Sequence, residues 1–206
     1  MTSAPGPAPA PVPVRQATLA DVDAITAAFT TAFFHDPVWG PVFPDEHRRA
    51  RQASAMWRAY AVSALRYPWT FVTPQAEAAA IWIPPGGTEL TAGEARGLGE
   101  LIEKAAGPQA AASARDIEAR FAAALPAGPF FHLTILATHA SHRGRGLGMG
   151  LLAGTLARID ALGAAAYLES TNSANNRRYH SAGFAPHAEI TMPAGHVVTT
   201  MWRPAR

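Results

Sequence analysis

The stretch Arg143-Gly144-Arg145-Gly146-Leu147-Gly148-Met149-Gly150 is where residue types and spacing could do chemistry. It lies between the strongest strand signal of the chain and a helical pattern, where the first amides of a helix point outward at the positive end of its dipole. The glycines remove side chains that would hold a bulky pyrophosphate away, and Arg143 and Arg145 add positive charge. A phosphate cradle over Arg143, Gly144, Arg145, Gly146, Leu147, Gly148 and Met149 is the expectation, against the plainer reading of an Arg/Gly-rich tight turn. No Gly-Lys-Ser or Gly-Lys-Thr follows, which excludes the Walker-type loop. A dinucleotide or S-adenosylmethionine fold competes, because one helix and then a strand ending at Glu169 follow the glycines. Only Leu151 to Arg206 remain downstream, too little for several further strand-helix-strand units.

The elements around the loop follow from periodicity and breakers. Residues 1–13 alternate Pro with small residues and read as a disordered or polyproline-like tail, with one domain over 14–206. Val14 to Ala17 reads as a short strand, and Thr18 to Asp21 starts a helix that runs through Phe34 and ends at Asp36-Pro37. A second helix is expected over about 44–66. Trp69 to Thr73 and Ala78 to Ile83 read as a strand pair, and Leu90 to Ala106 with Ala110 to Ala124 as two helices inserted over the sheet. Phe130 to Thr138, long and mostly apolar, is the central strand. Then come a helix over 146–162, a strand over 165–170, a short helix over 174–181 and two closing strands, Phe184 to Ile190 and Val197 to Trp202.

Composition narrows the function class. The 206 residues are 49% hydrophobic and 16% charged, enough for a sizeable core, and the 18 Pro and 17 Gly accompany an Ala-rich bias. A formal net charge of +2 with no basic cluster longer than His47 to Arg51 or His142 to Arg145 argues against a nucleic-acid surface. The absence of cysteine excludes disulfides, thiolate-metal sites and cysteine nucleophiles, and the histidines match no metal triad, so no metal is expected. No apolar run suffices to span a bilayer, and the N-terminus lacks a secretory pattern, so the expectation is a cytoplasmic protein with no membrane partner.

Two motifs in order resemble the acetyl-CoA-binding core of the GNAT superfamily of N-acetyltransferases. Arg143, Gly146 and Gly148 match the family's Arg/Gln-x-x-Gly-x-Gly/Ala signature, and Asn175, Tyr179, Gly183 and Phe184 match its closing pattern. Two departures stand out: Thr138 replaces the usual aliphatic residue, and Ala140 replaces a proline that commonly precedes the loop. The resemblance implies an α/β fold with a mixed, mostly antiparallel central sheet flanked by helices, acting as a monomer or homodimer. It implies acetyl-CoA as cosubstrate, with a splayed central strand placing Leu136, Ala137 and Thr138 at the acyl end and Asn175 on the pantetheine arm. Tyr179 is then the general acid toward the leaving thiolate, and the acceptor a small amine, an antibiotic or amino-nucleoside being the first to test. Glu169 is the first choice of base on its strand position, with His132 as second candidate. Phe34, Asp36 and Trp39 are candidates for the acceptor pocket. Two rivals stand beside this reading: an S-adenosylmethionine-dependent methyltransferase, and a non-catalytic acyl-CoA-binding sensor.

Overall fold

The computed structural model describes residues 12–206, so most of the expected N-terminal tail lies outside the described residues. Strands β1 (Arg15–Gln16), β2 (Thr70–Val72), β3 (Ala78–Ile83), β4 (Phe131–Thr138), β5 (Ala166–Ser170), β6 (Ala185–Thr191) and β7 (Val197–Arg203) form one sheet. Its order is β1-β2-β3-β4-β5-β7-β6. Only β4 and β5 pair in parallel; all other neighbours are antiparallel. The parallel sheet that a methyltransferase requires is therefore absent among the described residues, and the mixed, mostly antiparallel sheet is the one expected from sequence.

The helices are α1 (Val22–Ala32), α2 (Glu46–Ala64), α3 (Ala92–Ala106), α4 (Pro108–Ala123), α5 (Leu147–Asp160) and α6 (Asn176–Ser181). Each begins or ends for a local reason. Asp45 caps α2 by accepting from the His47 amide, and Thr91 with Glu94 makes a reciprocal capping box on α3. Helix α1 stops at Ala32, one half-turn short of the expected Phe34, where Asp36 and Pro37 turn the chain. Helices α3 and α4 form the insertion between β3 and β4, and α3 packs chiefly on α2 and α4.

Period-two alternation sorts the sheet residues onto two faces. Val72, Ala79, Ile81 and Ile83 join the core made with α1 to α4, while Phe71, Ala78, Ala80 and Trp82 join Leu151, Leu152, Leu156 and Ile159 of α5. In β4 the alternation breaks. Ile81 pairs with Ile135 but Trp82 with Leu133, so Thr134 is an extra, bulged residue. Phe131 and Leu133 consequently face α5, whereas Ile135 and Ala137 face the opposite layer. The parallel ladder to β5 also ends here, its last pair being Leu133 with Leu168. Beyond it the two strands part, and residues 134–138 of β4 have no ladder partner on that side.

Candidate active site

The parting of β4 and β5 opens into a cavity of about 1050 Å³. At one end lies the glycine loop. Gly144 and Gly146 hold φ of 80° and 75°, left-handed values that side chains resist. They turn the chain so that α5 starts directly against β4. There Gly148 sits so near the strand that a Cβ would come within 2.9 Å of Thr138 Oγ1. The backbone N–H groups from Gly144 through Met149 donate to no acceptor among the described residues, the first internal bond being from Gly150 N–H to the Gly146 carbonyl. A run of free amides at the N-terminus of a 14-residue helix is suited to an anion such as a diphosphate.

Arg143 and Arg145 behave otherwise than their charge suggests. The Arg143 guanidinium donates to the Thr31 and Ala32 carbonyls at 3.1 and 3.0 Å, closing the C-terminus of α1. The Ala140 amide donates to Thr31 Oγ1 at 3.1 Å, reinforcing the same junction. Arg145 is exposed beside His142 and does not line the cavity. The cradle's attraction for anions therefore comes chiefly from backbone amides.

Leu136, Ala137 and Thr138 line the cavity along the free side of β4, and Asn175 and Tyr179 face them from the segment after β5. Asn175 precedes α6, its Oδ1 accepting from Arg178 at 2.8 Å. Tyr179 is half-buried, with Phe184 packed edge-on 6.3 Å away. Burial, helped by the nearby Asp36 charge, pushes its phenol up to about 12. It therefore keeps its proton at any neutral pH.

Beyond the free edge of β4 the cavity becomes acidic. His132 Nε2 and Glu169 Oε2 are 2.6 Å apart, with side chains 17% and 6% exposed. Burial pushes the imidazole down, but the Glu169 charge and hydrogen bond more than offset this, so the His132 pKa is raised. Glu169 Oε1 and Thr134 Oγ1 are buried without a hydrogen-bond partner. Glu89, Glu118 and Tyr60 line the same end. Burial raises Glu89 to about 7 against the opposing pull of the His132 charge. Burial also raises Glu118, partly countered by the Tyr60 hydroxyl that donates to it at 2.5 Å. Glu89, Glu118 and Tyr60 are the site residues that sequence reasoning missed.

The structure divides the other sequence candidates. Trp39 lines the cavity, its ring 5.5 Å from Trp57 and 6.4 Å from Phe121. Asp36 lines it too, but its oxygens are engaged: Oδ1 accepts from the Val38 and Trp39 amides, and Oδ2 from the Thr171 hydroxyl at 2.6 Å. It ties the turn after α1 to the end of β5 instead of waiting for a cationic amine. Phe34 is not in the cavity wall; its ring lies beneath the Arg49 guanidinium, 5.1 Å from the centroid.

The chain matches no family model. Among solved structures it is similar to a Corynebacterium glutamicum protein described as histone acetyltransferase HPA2 and related acetyltransferase. The identity is 26% and the TM-score 0.67, over 94% of this chain and 96% of that one. Arylalkylamine N-acetyltransferase 2 from Aedes aegypti shares the architecture at 13% identity and a TM-score of 0.59, over 95% and 99% of the two chains. So does a GCN5-related N-acetyltransferase from Rhodopseudomonas palustris, at 13% and 0.53 over 97% and 99%. The chain has the GNAT fold. The parted strands, the glycine loop and the acidic residues line one continuous cavity. No helix among the described residues is long and apolar enough to cross a membrane.

Proposed function

We propose that this protein is an acetyl-CoA-dependent N-acetyltransferase that acts on a small amine by direct transfer. The observation that carries the reading is the joint occurrence of free amides at Gly144 to Met149 and an unpaired β4 edge, opening onto a carboxylate-lined cavity. The amides would hold the diphosphate, Asn175 the pantetheine arm, and the backbone of Leu136 to Thr138 the acyl end, where an N–H stabilises charge on the carbonyl oxygen. Glu169, oriented by His132, takes the proton of the substrate ammonium. The nitrogen–carbon bond forms, the carbon–sulfur bond breaks as Tyr179 gives its proton to the departing thiolate, and the phenolate takes up the remaining extra proton of the acylated nitrogen, which leaves the neutral amide.

The acceptor tried first is an antibiotic or amino-nucleoside. Ala17 to Val22, Arg143 to Gly148 and Leu168 to Thr171 resemble the corresponding segments of puromycin N-acetyltransferase. The reading places the enzyme in the cytoplasm, as a monomer or homodimer.

The test combines binding and turnover. Calorimetric titration should show micromolar binding of acetyl-CoA and none of S-adenosylmethionine. Tyr179→Phe should lower kcat for thiol release about 10²- to 10⁴-fold while acetyl-CoA affinity stays unchanged. Unchanged turnover would remove Tyr179 from the acid role. Tight acetyl-CoA binding with no turnover of any amine would favour the sensor reading.

A further inference from the structure

The acidic end of the cavity carries more carboxylates than acetyl transfer to a single amine requires. Of its three carboxylates, Glu169 has a cation within the chain, His132. Glu89 and Glu118 form no ion pair among the described residues; the His132 charge acts on Glu89 and the Arg115 charge on Glu118 only from beyond pairing distance. The Glu118 carboxylate is met by the Tyr60 hydroxyl. Carboxylates held away from water without a counter-charge are costly unless they stay protonated or a ligand supplies the cation.

A second observation points to the ligand. Glu169, its side chain 6% exposed, leaves Oε1 buried and without a donor, and Thr134 Oγ1 on the β4 bulge is equally unmatched. Both residues line this cavity. Buried acceptors in need of donors suit an ammonium group, which brings N–H donors and positive charge together. The neighbouring walls are aromatic, with Trp57 6.1 Å from Tyr60 and 5.5 Å from Trp39. Such walls suit methylene groups and the faces of cations. A divalent metal is the other dication to consider, but no metal-holding group of His, Asp and Glu occurs among the described residues.

The geometry points to an acceptor with two positive charges, a linear diamine or guanidino-alkylamine: one nitrogen reacts beside Glu169, and the other is held by Glu89 and Glu118 against Tyr60 and Trp57. This rests on the proposed acetyl-transfer reading, which sets the reacting end at Leu136. Puromycin, with a single aliphatic amine, then serves as the comparison acceptor.

The test titrates the protein, in the presence of coenzyme A, with 1,4-diaminobutane and with butylamine, and measures thiol release from acetyl-CoA with both. The diamine should bind at least about tenfold more tightly. Glu118→Gln, and separately Glu89→Gln as a second variant with its own folding check, should shrink that preference while leaving butylamine affinity unchanged. Equal affinity of the two amines for the wild type would overturn the second-charge subsite. Equal kcat/KM for both would overturn it too and leave acetyl transfer standing. Diamine-selective binding without thiol release would support the subsite and overturn the transfer reading instead.

Discussion

Burial moves Tyr179 and Glu89 in the same direction, with opposite consequences. It fixes a proton on the phenol, which a general acid needs, and it brings the Glu89 carboxyl to about 7, where its charge responds to small changes of pH. The groups facing Glu89 are His132, Glu169, Glu118 and Tyr60. Below its pKa Glu89 is neutral and gives a cation nothing; above it the charge returns. Affinity for 1,4-diaminobutane should therefore rise as pH increases through about 7, and Glu89→Gln should flatten the rise, as read by titration between about pH 6 and 8. Loss of the His132 proton at higher pH acts in the same direction. Glu169 and Tyr179 were legible in the sequence because each sits at a fixed distance from the glycine loop along strand, turn and helix. Glu89 and Glu118 were not, because both belong to the segment around the inserted α3 and α4, where a Glu in an Ala-rich helix reads as a solvent-facing residue. Only the tertiary fold brings Glu118 of α4 to Tyr60 of α2.

Most elements could be read from breakers and periodicity, with boundaries off by a few residues where caps, rather than apolar spacing, decide. The bulge at Thr134 could not. Along Phe131 to Thr138 the apolar Phe131, Leu133, Ile135 and Ala137 alternate without a break with His132, Thr134, Leu136 and Thr138, so the pattern reads as one regular strand and does not betray the extra residue. Yet that residue ends the ladder to β5 and turns His132 away from α5. The contact between Gly148 and Thr138 is the second feature at this scale, because it lets α5 start against the strand. Gly148→Ala should force the helix N-terminus off β4 and weaken acetyl-CoA binding about tenfold or more. The double variant with Thr138→Ala, which removes the atom that the new methyl group would meet, should recover most of the affinity. Failure of that rescue would mean that the loop needs glycine at 148 for another reason.

At the scale of the whole molecule, the closing strand is locked to the glycine-loop helix by one buried cation. Arg203, 3% exposed, donates to both oxygens of Asp160 at the end of α5 and to the Ala182 carbonyl. The hydrogen bonds from Arg203 hold the Asp160 carboxyl below its usual range, partly opposed by burial. A depressed carboxylate pKa stabilises the fold above the unfolded value, and the gain is lost as pH falls below about 4. Arg203→Met should cost about 2 kcal/mol, reduced from the fully buried case because Asp160 is partly exposed. That is roughly 4–8 °C in Tm at neutral pH, with a smaller difference in acid. The last turn of α1 and the bend after it do a related job at the other end of the groove. Arg143 and Ala140 fasten the loop beyond β4 to Thr31 and Ala32, and Asp36 fastens Thr171 beyond β5. One short piece of chain thus props both lips of the wedge. An incoming donor enters a gap that is already open, so its association should be a single fast step without a slow opening phase, and the affinity is spared the cost of forcing the strands apart.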